Sequence, residues 1–176
     1  MTSVERAPGI AGLAFDGREF RSTMGLFATG ITVVTASSGS PHGMTANAFT
    51  SVSIDPPLVL VCVGREAVMH QHILAAGSFG VSVLGAGQEG VARYFADRRR
   101  PLGLAQFDAV DWVPGQLTSA PLLGGAMAWM ECALRDAHPA GDHSIFIGEV
   151  MDLSRGDACD ALLFYRGGFR QLESDS

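Results

Sequence analysis

The segment GMTANAFTSVSIDPPLVLVCVG (residues 43–64) predicts extended chain on both sides of a proline turn. Its second half contains an apolar run at residues 58–63, rich in Val and Leu, which is typical of a strand buried on both faces. Its first half, residues 44–54, combines small residues with hydroxyls and ends at the turn sequence Asp55-Pro56-Pro57. We therefore expect a protein built around a β-sheet, with residues 58–63 as a central strand.

Further strands and short helices are predicted on both sides of this segment. Apolar and β-branched patterns predict strands at residues 31–36, 79–84, 126–137, 144–153 and 161–165. Helical spacing predicts helices at residues 19–28, 67–76 and 86–96, whereas residues 97–125 have no regular pattern. Helices do not alternate with strands, as a doubly wound parallel sheet requires. The sequence therefore predicts a mainly β protein with short helices, in the form of a small antiparallel barrel of about six strands.

Length and composition exclude several classes of protein. The 176 residues fit one domain, which we place at residues 18–172 between a flexible leader (1–17) and a tail (173–176). All 12 basic residues are Arg, which excludes Schiff-base enzymes and Walker-type phosphate loops, because both need a Lys amine. A net charge of −6 argues against nucleic-acid binding, and no apolar run is long enough to span a membrane.

The charged residues and the cysteines indicate the oligomeric state and the compartment. Charged residues make up only 17% of the chain, which favours the burial of some apolar surface in a homodimer. Cys62, Cys132 and Cys159 are odd in number and widely spaced, which favours reduced thiols over disulfides. There is no apolar signal-peptide core near the start. We expect a cytoplasmic protein.

One glycine motif matches a dinucleotide-binding pattern that the surrounding sequence does not support. Gly85, Gly87 and Gly90 fit G-x-G-x-x-G, and Asp108 follows near the place of a ribose-binding acid. The parallel strand that should carry this acid is missing, because residues 97–101 lead into a loop. We interpret the glycines as an ordinary entry into a helix.

The only Asn of the chain, Asn47, marks the best candidate for a ligand site. Ala46 and Ala48 beside it would let a flat ligand approach the backbone. The Asn47 amide can both donate and accept hydrogen bonds at the edge of a heteroaromatic ring such as a pyrimidine-dione. Ser51 and Ser53 offer hydroxyls to a phosphate or polyol. The residues alone leave two interpretations open, a ligand site or a Thr/Ser-rich strand and turn.

Other polar groups leave similar alternatives. Residues 141–144 (GDHS) are either a surface turn or part of a site, and the arginines at 98–100 are either solvated or contact a phosphate. His70 and His72 lie two positions apart on a helix, so their rings point to different faces. No spacing fits a metal site and no residue order fits an acyl-transfer triad, so we expect no metal and no nucleophile.

Five stretches, taken together, resemble a known family. They are FATGITVVT (27–35), GMTANAFTSVSIDPPLVLVCVG (43–64), FGVSVL (79–84), GDHSIFIGEV (141–150) and LLFYRGGFRQL (162–172). In this order they resemble the short-chain flavin reductases, the reductase components of two-component flavin-dependent monooxygenases such as those acting on phenols and 4-hydroxyphenylacetate. The resemblance runs from about residue 20 to residue 172. It implies a homodimeric, FMN-binding, Greek-key split β-barrel.

The resemblance also implies the positions that hold the two nucleotides. The isoalloxazine would lie along Thr45, Ala46 and Asn47, and the ribityl chain and phosphate along Ser51, Val52 and Ser53. Helix amides for the phosphate would come from Glu66, Ala67, Val68 and Met69. Many members carry a Ser/Lys-rich segment where this chain has Arg65, so the positive charge at the phosphate would come from Arg65 or Arg100. The nicotinamide side would be formed by His143 on a turn shaped by Gly141 and Asp142.

The implied activity is that of an NAD(P)H:flavin oxidoreductase, which uses FMN or FAD with NADH or NADPH and passes reduced flavin to a partner monooxygenase. Hydride transfer from nicotinamide C4 to flavin N5 needs alignment rather than a nucleophile, which agrees with the residues present. Two alternatives remain open. The first is a flavin-binding sensor or carrier without turnover. The second is a self-contained flavin enzyme for an organic substrate, in which residues 97–125 with Trp112 form a pocket or a dimer contact.

Overall fold

The computed structural model describes residues 15–157 and 160–172. Most of the predicted leader, the tail at 173–176 and Cys159 lie outside these residues. The helices are α1 (Gly17–Met24), α2 (Val68–Ala76) and α3 (Glu89–Ala96), with 3₁₀ turns at Ala86–Gln88 and Gly103–Phe107. The strands are β1 (Thr29–Gly30), β2 (Thr32–Ser37), β3 (Pro41–Ala46), β4 (Phe49–Ile54), β5 (Pro57–Gly64), β6 (Ser78–Val83), β7 (Trp112–Pro114), β8 (Pro121–Leu123), β9 (Ala128–Ala140), β10 (His143–Arg155), β11 (Leu162–Tyr165) and β12 (Gly168–Gln171).

The main sheet has seven strands in the order β3-β2-β6-β9-β10-β5-β4, one more strand than the expected number of about six. Its neighbouring strands all pair antiparallel, as do those of the two small sheets, β1-β11-β12 and β7-β8. The prediction of a mainly β, antiparallel protein with short helices is therefore confirmed.

The sheet is forced to curl by the connection between β3 and β4. These strands lie at opposite edges of the sheet, yet only Asn47 and Ala48 separate them. Three Cα steps span at most about 11 Å, whereas seven flat strands would be about 29 Å wide. The edges must therefore meet at this corner, where the Cys62 amide donates to the Ala48 carbonyl at 3.0 Å. The result is a barrel that is closed at the corner.

Two predictions for residues 44–63 were wrong in detail. Residues 44–54 are not one extended stretch, because the chain passes from one sheet edge to the other at Asn47 and Ala48. Residues 58–63 form a strand next to the edge strand β4, and only Val59, Val61 and Val63 are fully buried. The alternate residues of that strand are half-exposed. An apolar run therefore does not distinguish a strand with two buried faces from one that leaves a face open.

The predicted irregular segment, residues 97–125, contains a hairpin of β7 and β8 that covers the outer face of the sheet. The Thr35 hydroxyl donates to the Pro121 carbonyl at 2.7 Å, and the Leu123 amide donates to the Ser82 hydroxyl at 3.0 Å. Each strand of the hairpin has only three residues, too few to give a periodic signal. This cover explains why outward-facing polar residues of the sheet are buried.

The carboxylate of Glu131 on β9 is the main anchor of this hairpin. It is only 3% exposed and accepts hydrogen bonds from the amides of Gln116, Leu117 and Thr118 and from the Thr118 hydroxyl, at 2.7–3.0 Å. Burial by itself would raise the pKa of Glu131, but the hydrogen bonds from Thr118, Leu117 and Gln116 outweigh it and lower the pKa. Glu131 is therefore ionised at neutral pH and holds the loop between β7 and β8.

We predict that Glu131→Gln lowers the free energy of unfolding at pH 7 by about 2 kcal/mol, because an amide presents a donor to groups that need an acceptor. The lowered pKa makes this contribution complete above the ordinary value of 4.5 and removes it as the pH falls through the folded-state pKa. Urea unfolding of both proteins at pH values from 7 into the acid range should show the difference shrinking.

The control for this prediction is Glu149→Gln, which removes a half-exposed carboxylate paired with the exposed Arg135 on the same sheet. Such surface pairs contribute about 0–1 kcal/mol. A Glu131→Gln protein as stable as the wild type at pH 7, or a loss that does not depend on pH, would contradict the anchoring role.

Candidate functional site

A cleft of about 900 Å³ opens at the corner where the two edges of the sheet meet. Its walls are the corner itself, the loop that leads from β5 into α2, and the turn between β9 and β10. The lining residues are Met44, Thr45, Ala46, Asn47, Ala48, Cys62, Gly64, Arg65, Glu66, Ala67, His70, Gln71, Arg98, Asp142 and His143. The fold thus brings three segments with predicted site residues, which lie far apart in sequence, into one cleft.

The corner forms one wall of the cleft from small side chains, on which the polar side chain of Asn47 is exposed. Ala46 is 7% exposed, and the Thr45 hydroxyl donates to the Ala92 carbonyl at 2.7 Å, which fixes β3 against α3. Asn47 is exposed and its side-chain amide has no hydrogen-bond partner among the described residues. A flat heteroaromatic ring can lie against the small residues while Asn47 pairs with its edge.

The loop from β5 to α2 points a helix N-terminus toward the cleft. The N-cap position is Ala67, whose side chain cannot cap the helix, so the first amides of α2 have no side-chain acceptor. Free amides at a helix start attract an anion. Arg65 and Glu66 are exposed beside them, whereas the Met69 side chain is 0% exposed in the core and can contribute only its backbone.

The turn between β9 and β10 carries an exposed imidazole next to a carboxylate. Gly141 has a φ of 63°, which favours glycine, and allows the chain to reverse before Asp142 and His143. His143 Nδ1 lies 2.8 Å from Asp142 Oδ1, and the hydrogen bond and charge of His143 lower the pKa of Asp142. The other ring nitrogen faces Gly64, where an added Cβ would stand 3.8 Å from Nε2. This pairing orients the ring and leaves Nε2 available to a ligand.

A backbone hydrogen bond joins these two parts of the cleft. The Arg65 amide donates to the Asp142 carbonyl at 2.9 Å. Strand β5 also pairs with β10 so that Gly64 lies opposite His143. The start of α2 and the imidazole are therefore held in a fixed relation by main-chain contacts.

His70 is a cleft residue that sequence reasoning missed. It is 9% exposed, its Nε2 lies 2.9 Å from Ser144 Oγ, and its ring packs edge-on against Phe146. Burial, together with the charge of Arg65, lowers its pKa, so the ring is neutral at pH 7. The contact joins residues 74 positions apart, and no local pattern could have indicated it. His72 lies on the other face of α2, stacked on His42, as expected.

Some predicted site residues lie outside this wall. Ser51, Val52 and Ser53 are on the edge strand β4, beyond the corner. Arg100 donates to the carbonyls of Asp97 and Gly43 and lines a smaller pocket next to the cleft, together with Val68 and Met69. Of the three consecutive arginines, Arg98 is the one that reaches the cleft.

The cleft contains no activated nucleophile among the described residues. Its one thiol, Cys62, has a pKa raised by burial and stays protonated. No group of three or more His, Cys, Asp or Glu side chains in the described ranges could hold a metal ion. The residues that line the cleft fit a flat ring, an anion and a second ring near His143. These ligands agree with a flavin and a nicotinamide.

The glycine motif at residues 85–90 is confirmed as a helix entry. Gly85 precedes the 3₁₀ turn and α3, and its amide donates to the Gln88 side chain at 3.1 Å. The strand before it, β6, belongs to an antiparallel sheet, so no dinucleotide-binding unit forms.

No helix in the described part of the chain is long and apolar enough to cross a membrane.

A third, apolar groove of about 510 Å³ is lined by Trp112, Leu122, Leu123 and Trp129, among others. Trp129 pairs with Ser154 at the far ends of β9 and β10, whereas Ala140 pairs with His143 next to the turn. Eleven residues of β9 separate Trp129 from Ala140, which is about 35 Å along the strand. A substrate in this groove would be too far from His143 to take part in chemistry at the cleft.

Comparison with known proteins identifies the family of the chain. The family model for the flavin reductase like domain matches residues 24–173. An NADH-dependent FAD reductase from Streptomyces globisporus is 53% identical over 161 residues, covering 92% of this chain and 88% of that protein.

Two solved structures have the same fold. BorF, the flavin reductase component of a bacterial two-component tryptophan halogenase, is 54% identical with a TM-score of 0.87, covering 91% of this chain and 100% of that one. The Streptomyces globisporus NADH:FAD oxidoreductase SgcE6, solved with NAD and FAD fragments, is 50% identical with a TM-score of 0.87, covering 94% and 99%. Since the family model covers most of the sequence and the fold is shared, the chain belongs to the flavin reductase family and has its split-barrel architecture.

Proposed function

We propose that this chain is an NAD(P)H:flavin oxidoreductase that reduces FMN or FAD and supplies the reduced flavin to a partner monooxygenase. The observation that carries the proposal is the single cleft in which the small-residue corner, the start of α2 and the turn bearing His143 converge. The similarity to an NADH-dependent FAD reductase and to a reductase component of a halogenase supports the reaction and the transfer to a partner.

Each wall of the cleft has a separate role in this proposal. The isoalloxazine lies along Thr45, Ala46 and Asn47, with the Asn47 amide at its pyrimidine edge. The ribityl chain runs from the corner toward the α2 start, whereas Ser51, Val52 and Ser53 lie on β4 outside the cleft, where β4 runs away from Arg65, so we assign them no contact with the phosphate. The phosphate is held by Arg65 and by the α2 start from Glu66 to Met69, with Arg100 as a second, more distant cation.

Bound flavin and nicotinamide supply the redox chemistry, in which a hydride passes from nicotinamide C4 to flavin N5. The protein's own residues supply alignment and charge. Asp142 orients the His143 ring, which would position the nicotinamide beside the flavin. The Asn47 amide, at the pyrimidine edge, would donate to the negative charge that develops around N1 and O2 on reduction, without any proton transfer from a catalytic side chain.

This proposal is tested by mixing the purified protein with NADH or NADPH and an excess of FMN or FAD. We expect flavin-dependent oxidation of the nicotinamide, followed by its absorbance, for at least one of the four pairs. Lack of turnover with all four pairs would refute a reductase. A tightly held flavin that neither nucleotide bleaches would instead support a flavin-binding sensor or carrier.

The division of roles predicts different effects for substitutions on the nicotinamide side and on the flavin side of the cleft. His143→Ala should lower nicotinamide-dependent turnover about tenfold or more while the Kd for flavin stays within about twofold. Arg65→Ala and Asn47→Ala should each weaken flavin binding about fivefold to tenfold, because each removes a hydrogen bond or a charge at the flavin. Flavin fluorescence titration gives the Kd values and steady-state kinetics the turnover.

The matched control is Arg99→Ala, which removes an arginine of the same chain that is 90% exposed and paired with Asp97. Neither flavin binding nor turnover should change in this variant. Equal loss of flavin binding and turnover in His143→Ala would contradict the separate nicotinamide side.

We also propose that the protein is a cytoplasmic homodimer. Phe20, Met24 and Phe27 are each more than half exposed in the single chain, which is an apolar surface that a second copy would cover. Cys62 and Cys132 are free thiols, which suits a reducing compartment.

Light scattering should give twice the 18.5 kDa mass of one chain. Phe27→Asp should shift the protein toward the monomer, and a monomeric wild type would contradict the proposal.

A further inference from the structure

His70 joins two walls of the cleft through a buried side-chain contact. Its Nε2 lies 2.9 Å from Ser144 Oγ, and Ser144 follows His143 at the start of β10. In the ranges that the structure describes, this is the one side-chain hydrogen bond between α2 and β10. The helix whose start forms one wall is thus tied to the strand that carries the imidazole of the other wall.

This tie adds a second point of attachment to the main-chain contact in the loop before α2. There the Arg65 amide donates to the Asp142 carbonyl at 2.9 Å. The His70 contact lies further along the chain, in the first turn of α2. Met69 and Ile73 of the helix are buried in the core, but apolar packing is non-directional. Because one hydrogen bond alone allows the first turn to pivot, the second contact is what fixes its angle to β10.

Stability alone does not account for a histidine at this position. The side chain is 9% exposed, and its Nδ1 is buried without a hydrogen-bond partner among the described residues. Burial, together with the charge of Arg65, lowers the pKa of His70, so the neutral ring contributes no ion pair at pH 7. An unsatisfied buried nitrogen costs stability, whereas the edge-on packing of the ring against Phe146 needs no polar atom. A phenylalanine would keep this packing without the cost.

His72, on the other face of the same helix, offers a matched comparison. Its Nδ1 lies 3.1 Å from Ser38 Oγ, and its ring stacks on His42. The residues that line the cleft include His70 but not His72. The helix therefore carries two contacts between a histidine and a serine, of which one adjoins the cleft.

We infer that His70 is a positioning residue for hydride transfer, which through Ser144 fixes the first turn of α2 against the strand that carries His143 and so sets the spacing between flavin and nicotinamide. This inference rests on the proposed flavin reductase function. Hydride transfer depends steeply on alignment. A small shift between the two walls should therefore lower the rate of the reaction while each wall still binds its own ligand.

The test measures the rate of flavin reduction at a saturating concentration of the nicotinamide nucleotide that the wild type uses. We expect His70→Phe and Ser144→Ala to lower this rate about tenfold and to leave the Kd for flavin within about twofold, because alignment is lost while the walls remain. His70→Gln, whose amide nitrogen can take the place of Nε2, should recover most of the rate. His72→Phe should leave the rate unchanged.

Three outcomes would overturn the inference. A normal rate in both His70→Phe and Ser144→Ala would show that the main-chain contacts position the walls by themselves. A His70→Gln protein as slow as His70→Phe would exclude the hydrogen bond as the cause. Urea unfolding should show His70→Phe to be at least as stable as the wild type, so a loss of rate matched by a loss of stability and of flavin affinity would make His70 a structural residue only.

Hydrogen exchange separates this inference from the proposed function. The amides of residues 65–70 and 141–146 should exchange faster in His70→Phe and Ser144→Ala than in the wild type, and His72→Phe should not change them. A wild type that oxidises no nicotinamide with any flavin would refute the proposed function, while faster exchange at these residues would still support the tie. Unchanged exchange in both variants would overturn the tie whether or not the protein turns over.

Discussion

The two-residue connection between β3 and β4 is the constraint on which the rest of the structure depends. It joins the opposite edges of a seven-stranded sheet, so the sheet can satisfy it only by closing on itself. Closure encloses the core around Val61, Phe79 and Phe146. At the same corner the chain changes direction in residues too small to fill the space outside it. The covalent link that makes the barrel therefore also makes the cleft.

Backbone contacts, more than side-chain contacts, hold the walls of this cleft in place. The pairing of Gly64 with His143 and the hydrogen bond from the Arg65 amide to Asp142 fix the helix start relative to the imidazole turn. Such a frame leaves the exposed side chains, Asn47, Arg65, Arg98 and His143, free of structural duties. A site that aligns two rings for hydride transfer and then releases one of them has use for rigid walls and few strong contacts. Gly64, which lies opposite His143, has no side chain, so the cleft stays open at this position.

Sequence patterns predicted most elements of the sheet but not their lateral order. The strands at residues 31–36, 79–84 and 144–153 were predicted nearly at their true bounds, because long β-branched runs are strong local signals. The hairpin of β7 and β8 was missed, since three-residue strands carry no period. The burial of Glu131 was missed for the same reason, because it depends on that hairpin lying over the sheet. For the site, Ala46 and Asn47 were singled out from the residues themselves, and the roles of residues 45–47, 65–67 and 141–143 came from resemblance to a family. His70 and the different contacts of Arg98, Arg99 and Arg100 had no local signature.

The sequence by itself determined the chemistry that is possible here. A chain without Lys, with one Asn and with isolated cysteines leaves amides, hydroxyls, arginines and imidazoles as its binding groups, whatever its fold. Only the tertiary structure decided which of these groups act together. Asn47, Arg65 and His143 meet because strands far apart in the chain become neighbours when the sheet closes. Asp97 pairs with Arg99, the guanidinium that the turn after α3 brings to it, and no hydrogen bond or ion pair joins Arg98 to Asp97 within the described ranges. The type of each residue is visible in the local sequence. Its neighbours across a barrel are set by long-range strand pairing, which no local pattern contains.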